Sequence, residues 1–182
     1  MAMIAIFIAI STSIIDSGFS NALIRKNEVK KIDYDTVFYF NLVVSGILYI
    51  FLYLLSPAIS SFFKEPVLIE VTRVISWILI INALGIIPRT IFIINVDFKV
   101  QTKASLISSL VSGIVGISMA LFGLGVWSLV GQQLSRQLLN TFFLWFYCRW
   151  RPAWEFSIES FKEMFGFGSK LLVSCLLYTS DA

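Results

Sequence analysis

Apolar residues in this chain gather into long runs, and the polar residues collect in the connections between them. Four runs, 36–56, 67–88, 104–122 and Val126–Tyr147, approach or reach the roughly 20 helical residues needed to cross a bilayer core of about 30 Å. A fifth, 164–178, stops short, and a sixth, 1–15, reads as the tail of another. In lipid every backbone N–H and C=O pairs internally, which a single run of this length achieves only as a helix. The pattern predicts an all-α fold, a polytopic membrane helical bundle.

Composition strengthens that reading. The 182 residues are 58% hydrophobic, 15% aromatic and 14% charged, against about 45–50% apolar and 25% charged in soluble domains. The net charge of +3 matters less than where the cations sit. The connection 16–35 carries four (Arg25, Lys26, Lys30, Lys31), 57–66 one (Lys64) and 89–103 three (Arg89, Lys99, Lys103). The turn 123–125 has none, and 148–163 has three (Arg149, Arg151, Lys162). This alternation predicts that the three basic connections are cytoplasmic.

The first 15 residues lack the basic start and small-residue cleavage site of a signal peptide, and they are too short to span. Both ends read as cut. Cys148 and Cys175 fall at or inside apolar runs, where a small buried thiol is the usual role. The absence of His removes histidine-based catalysis and the commonest metal ligand.

Gly123, Leu124 and Gly125 are all that joins the third and fourth runs, which forces an antiparallel helical hairpin with Trp127 as an interfacial anchor. Small residues recur every four positions in the third run, as Ser105, Ser109, Gly113 and as Ser112, Gly116, Ala120. Such stripes allow close helix approach; lining a substrate path is the other reading of the serines. Further on, Trp154, Ile158, Phe161 and Phe165 share one face while Glu155, Glu159 and Glu163 share another. That segment is expected to lie on the cytoplasmic membrane surface, with Ser160 to Glu163 as a capping box for the final helix.

The most informative run is Val126–Tyr147. Gln133, Arg136, Gln137 and Asn140 fall at i, i+3, i+4 and i+7, with Gln132 beside them, and form one polar stripe. Arg136 lies ten residues past Val126, about 15 Å into a 30 Å core. A central Arg costs about 2.5–3.5 kcal/mol on insertion scales, and each apolar residue returns only about 0.3–0.6. The stripe is therefore expected to face protein or a water-filled cavity, contacting substrate or making interhelical hydrogen bonds.

Arg73, three positions after Glu70 and four before Trp77, reads either as an ion-paired interfacial residue or as a substrate contact. Arg89, after Pro88, reads as a snorkelling cation or a second substrate contact; Lys170 is equally open. Asn41, Ser45 and Tyr49 share a face that could line the same cavity as Arg136. No phosphate-binding Gly-rich loop, catalytic carboxylate pair or nucleophile motif appears.

Several segments taken together carry a resemblance: Asp16-Ser17-Gly18-Phe19 through Ala22-Leu23-Ile24-Arg25, Phe62-Phe63-Lys64-Glu65-Pro66 and Leu84-Gly85-Ile86-Ile87-Pro88-Arg89. With them go Gly125-Val126-Trp127-Ser128-Leu129-Val130, Trp150-Arg151-Pro152 and Phe165-Gly166-Phe167-Gly168-Ser169-Lys170. In this order the chain resembles the polysaccharide biosynthesis transporters of the O-antigen flippase type, related to lipid II flippases and multidrug antiporters. The resemblance implies a piece of a two-lobe fold of about twelve or more helices around a central cavity. Residues 1–163 would form an N-terminal lobe lacking its first helix, and 164–182 the start of the next helix.

It also implies a non-enzymatic transporter of the bacterial inner membrane that moves polyprenyl-diphosphate-linked oligosaccharide by alternating access. Its partners would be that lipid-linked oligosaccharide, membrane lipid and glycan-assembly proteins, with no nucleic acid, metal or cofactor. The diphosphate suits Arg, whose planar guanidinium binds phosphate oxygens in pairs. The substrate-binding residues expected are Arg136 with Gln132, Gln133, Gln137 and Asn140, and more distantly Arg73 and Arg89. A multidrug-type antiporter is the nearest rival. A membrane-bound polymerase or ligase would need a larger outer loop than 57–66 and 123–125 provide, and a purely structural subunit leaves the central Arg unexplained.

Overall fold

A computed structural model describes residues 23–24, 29–153, 157–158 and 162. The stretches 1–15 and 164–178, Ser160, Phe161 and Glu163 of the capping box, and Arg25, Lys26, Trp154, Glu155, Glu159, Phe165, Lys170 and Cys175 lie outside them. The described residues form five helices in order: α1 Lys31–Phe63, α2 Val67–Ile75, α3 Trp77–Ile94, α4 Phe98–Leu121 and α5 Val126–Tyr147. Among the described residues there is no strand, as the all-α expectation requires.

The first helix is longer than the apolar run 36–56 that announces it. It opens where Asp33 Oδ2 accepts the Lys30 N–H at 3.0 Å, and its 33 residues extend about 50 Å at 1.5 Å per residue. Pro57 lies inside it and cannot donate to the carbonyl of Tyr53 four residues back. The Ser56 hydroxyl donates to that carbonyl instead, at 2.8 Å. A side chain thereby restores what a helix in lipid cannot leave unmade.

The run 67–88 becomes two helices rather than one. Ser76, fully buried, turns its hydroxyl back onto the Thr72 carbonyl at 2.6 Å, a bond that bends helices. The second piece also continues past Pro88 to Ile94, six residues beyond the expected end. Pro88 frees the Leu84 carbonyl, and the indole Nε1 of Trp145 on α5 donates to it at 2.9 Å. The proline break is thus closed from a neighbouring helix.

Among the described residues three stretches are long and apolar enough to cross a membrane: Lys31–Phe62, Val67–Ile94 and Phe98–Leu121. α5, expected as a fourth, has 22 residues but is not among them, because its own polar stripe dilutes its apolarity. α4 begins at Phe98, not 104, so Lys99 and Lys103 stand on its first turns and the α3–α4 connection shrinks to three residues, 95–97.

α3 is the centre of the bundle. The span Val67–Ile94, made of α2 and α3, is 61% buried over its apolar stretch, against 22% for α1 and 17% for α4. One apolar cluster joins Val37, Phe38 and Leu52 of α1 to Leu79, Ile86 and Ile87 of α3, with Trp145 and Trp150 packed against it. α4 and α5 form the hairpin that the glycine turn dictates, with Gly123 at φ 76 and Gly125 at φ 52. The stripe that α4 buries is Ala104, Ser108, Ser112 and Gly116. Of the two expected triplets it keeps Ser112 and Gly116, and it leaves Ser105 and Ala120 exposed. Gly116 is necessary at this approach, since a Cβ there would sit 3.0 Å from the Gln132 side chain.

At the opposite edge, the segment after α5 is fastened to the start of α1. Asp35 Oδ1 accepts the Ala153 N–H at 3.3 Å, and Thr36 Oγ1 accepts that of Ser157 at 3.1 Å.

Candidate functional site

Pro88 does more than bend α3, because Arg89 follows it and projects toward the hairpin. Arg89 meets residues of α4 and α5 around a cavity of about 360 Å³, lined also by Ile78, Gln101, Ser105, Ser108, Gln133, Arg136, Gln137 and Asn140. Two guanidiniums from different helices therefore share one space. Among the described residues neither makes a hydrogen bond or ion pair, and no acidic group is among the lining residues.

The polar stripe of α5 divides its work. Gln133, Arg136 and Asn140 line the cavity. Gln137 lines it too, while its Nε2 donates to Asn82 Oδ1 of α3 at 2.9 Å. One turn on, Thr141 Oγ1 donates to the Ile81 carbonyl at 3.3 Å and packs on Gly85. Gln132 is not among the lining residues, and its side chain packs against Gly116. The stripe is thus divided, with an interhelical bond at Gln137 and a polar cavity lining at Gln133, Arg136 and Asn140.

Arg73 is placed elsewhere. Its Nε donates to Ser56 Oγ at 3.2 Å, and its guanidinium lies 4.3 Å from the centroid of the Tyr53 ring. Among the described residues it has no ion pair with Glu70; the proline break in α1 offers a nearer and better-oriented acceptor. Asn41, Ser45 and Tyr49 are likewise not among the cavity's lining residues. Ser45 returns its hydroxyl to the Leu42 carbonyl, and Tyr49 packs on Tyr53 and Trp77.

Gln101, Ser108 and Asn82 were not singled out by the sequence pattern. Gln101 was hidden by placing the start of α4 after it; once the helix begins at Phe98, Gln101, Ser105 and Ser108 fall at i, i+4 and i+7. Asn82 had a signal, a lone amide in an apolar run, which in lipid needs a partner. It is 4% exposed.

Comparison with known proteins adds an independent line. A family model described as polysaccharide biosynthesis protein matches residues 1–180. Over 167 residues the chain is 25% identical to the teichuronic acid biosynthesis protein TuaB of Bacillus subtilis (strain 168), covering 90% of this chain and 34% of that protein. Over 154 residues it is 21% identical to the succinoglycan biosynthesis transport protein ExoT of Rhizobium meliloti (strain 1021), covering 84% and 31% respectively. The chain spans about a third of the length of these curated relatives. No solved structure matches it.

Proposed function

The chain belongs to the polysaccharide biosynthesis protein family, and on that premise we propose that it is the cavity-bearing part of a multi-pass inner-membrane flippase for polyprenyl-diphosphate-linked oligosaccharide. The observation that carries this reading is the cavity that joins Arg89 to Arg136 within a helical bundle built for lipid. A diphosphate crossing an apolar core needs compensating cations at depth, and a guanidinium offers paired donors to phosphate oxygens. The two cations disfavour organic cations as cargo, which separates this reading from a multidrug-type antiporter.

The decisive experiment uses the complete protein in a strain lacking its own flippase. Arg136→Ala abolishes surface polysaccharide while abundance and membrane insertion stay near normal. Arg136→Lys restores part of it, because a point charge cannot make the paired contacts. Full transport by a well-expressed Arg136→Gln protein would overturn the reading.

A further inference from the structure

One wall of the cavity holds a hydroxyl with an unusual status. Ser108 is 0% exposed, lines the cavity, and its Oγ has no hydrogen-bond partner. Other serines of the same hairpin spend their hydroxyls on the helix itself. Ser112 donates to the Ser109 carbonyl at 3.1 Å, Ser118 to Ile114 at 2.8 Å, Ser128 to Gly125 at 2.7 Å and Ser135 to Gly131 at 2.6 Å. Back-bonding of this kind is how an apolar helix ordinarily satisfies a serine. An unmade buried hydrogen bond costs about 1–3 kcal/mol, and no described residue offsets that cost at Ser108.

Gln101 and Ser105 precede Ser108 on the same wall. Each of the three groups donates and accepts hydrogen bonds and carries no charge. Such groups add little to phosphate binding beside two guanidiniums, but they match the vicinal hydroxyls of a sugar, which also donate and accept. We infer that this wall of α4 recognises the sugar attached to the diphosphate, with Ser108 bonding a ring hydroxyl while Arg89 and Arg136 hold the phosphates. The inference rests on the flippase reading above. A volume of about 360 Å³ lies near the small end of ligand pockets, about 300–1,000 Å³. The wall therefore reads the first sugar, not the whole oligosaccharide.

The test measures binding by the purified complete protein in nanodiscs, with two probes: the host's own lipid-linked glycan, and polyprenyl diphosphate bearing no sugar. The unmodified protein binds the glycan-bearing lipid more tightly. Ser108→Ala weakens that binding about 2- to 10-fold, the worth of one neutral hydrogen bond, and leaves the sugar-free probe unchanged. Adding Gln101→Leu removes the remaining preference. Thermal stability of Ser108→Ala is equal or higher, since an unpaired hydroxyl has gone. Equal weakening of both probes, no weakening of either, or a less stable Ser108→Ala protein would each overturn the inference. A protein that binds neither probe, or an Arg136→Gln variant that keeps full affinity for the sugar-free one, defeats the flippase reading itself.

Discussion

Arg73 and Arg136 bring the same guanidinium into an apolar bundle and meet opposite surroundings. Arg73 reaches across to α1, donates to Ser56 and lies over Tyr53, and so reinforces the site where Pro57 interrupts the helix. Arg136 stands with Arg89 among neutral amides and hydroxyls and donates to none of them. The contrast separates two uses of a costly residue: one cation is spent on repairing the backbone, while the other keeps its donors for a ligand. Their neighbours tell the two uses apart.

The largest effect that bears on this contrast is at Arg73. Arg73→Ala removes a charge-assisted hydrogen bond, about 1.5–3 kcal/mol, and a cation–π contact of about 0.5–2. Thermal unfolding of the complete protein in detergent is expected to show a loss of about 2–4 kcal/mol, while transport per folded molecule is unchanged. A stable Arg73→Ala protein with lost transport would erase the distinction between the two arginines.

A smaller effect tests the second proline break. Trp145→Phe strips the donor from the Leu84 carbonyl and costs about 1–3 kcal/mol. Combined with Pro88→Ala, which restores the helical N–H for that carbonyl, the same change costs less. Additive losses in this double-mutant cycle would show that the indole bond has nothing to do with the proline.

The smallest effect concerns water access at the cavity-lining stretch of α5 and at its C-terminal end. Burial pushes the Cys148 thiol above its ordinary range, while the Trp150 backbone bond and Arg151 pull it the other way. The raised value leaves less thiolate at neutral pH and more as the pH rises, and the thiolate is the reactive form. A maleimide is therefore expected to label Cys148 at least about tenfold more slowly at pH 7 than a cysteine at Gln133, each in a background without other cysteines. Equal rates would mean that the cavity is as sealed as the core.

The helical class and the hairpin were legible because lipid leaves a run of apolar residues few alternatives, and the glycine turn 123–125 leaves fewer. Boundaries were less so. Pro88 read as an end, yet α3 continues because Trp145 satisfies the carbonyl that Pro88 abandons, a contact between positions 61 apart that no local pattern carries. Ser76 read as interior, but its back-bond splits the run. The α5 stripe gave Gln133, Arg136 and Asn140 as cavity residues because helical spacing alone places them together. Gln132, placed beside the stripe on adjacency, is not among the lining residues, and Gln101 was missed because Lys99 and Lys103 made the start of α4 look like a loop.

The fastening of Ala153 and Ser157 to Asp35 and Thr36 has a mechanical meaning. It makes the residues after α5 travel with α1, and the packing of Val37, Phe38 and Leu52 on Leu79, Ile86 and Ile87 ties them in turn to the helix that carries Arg89.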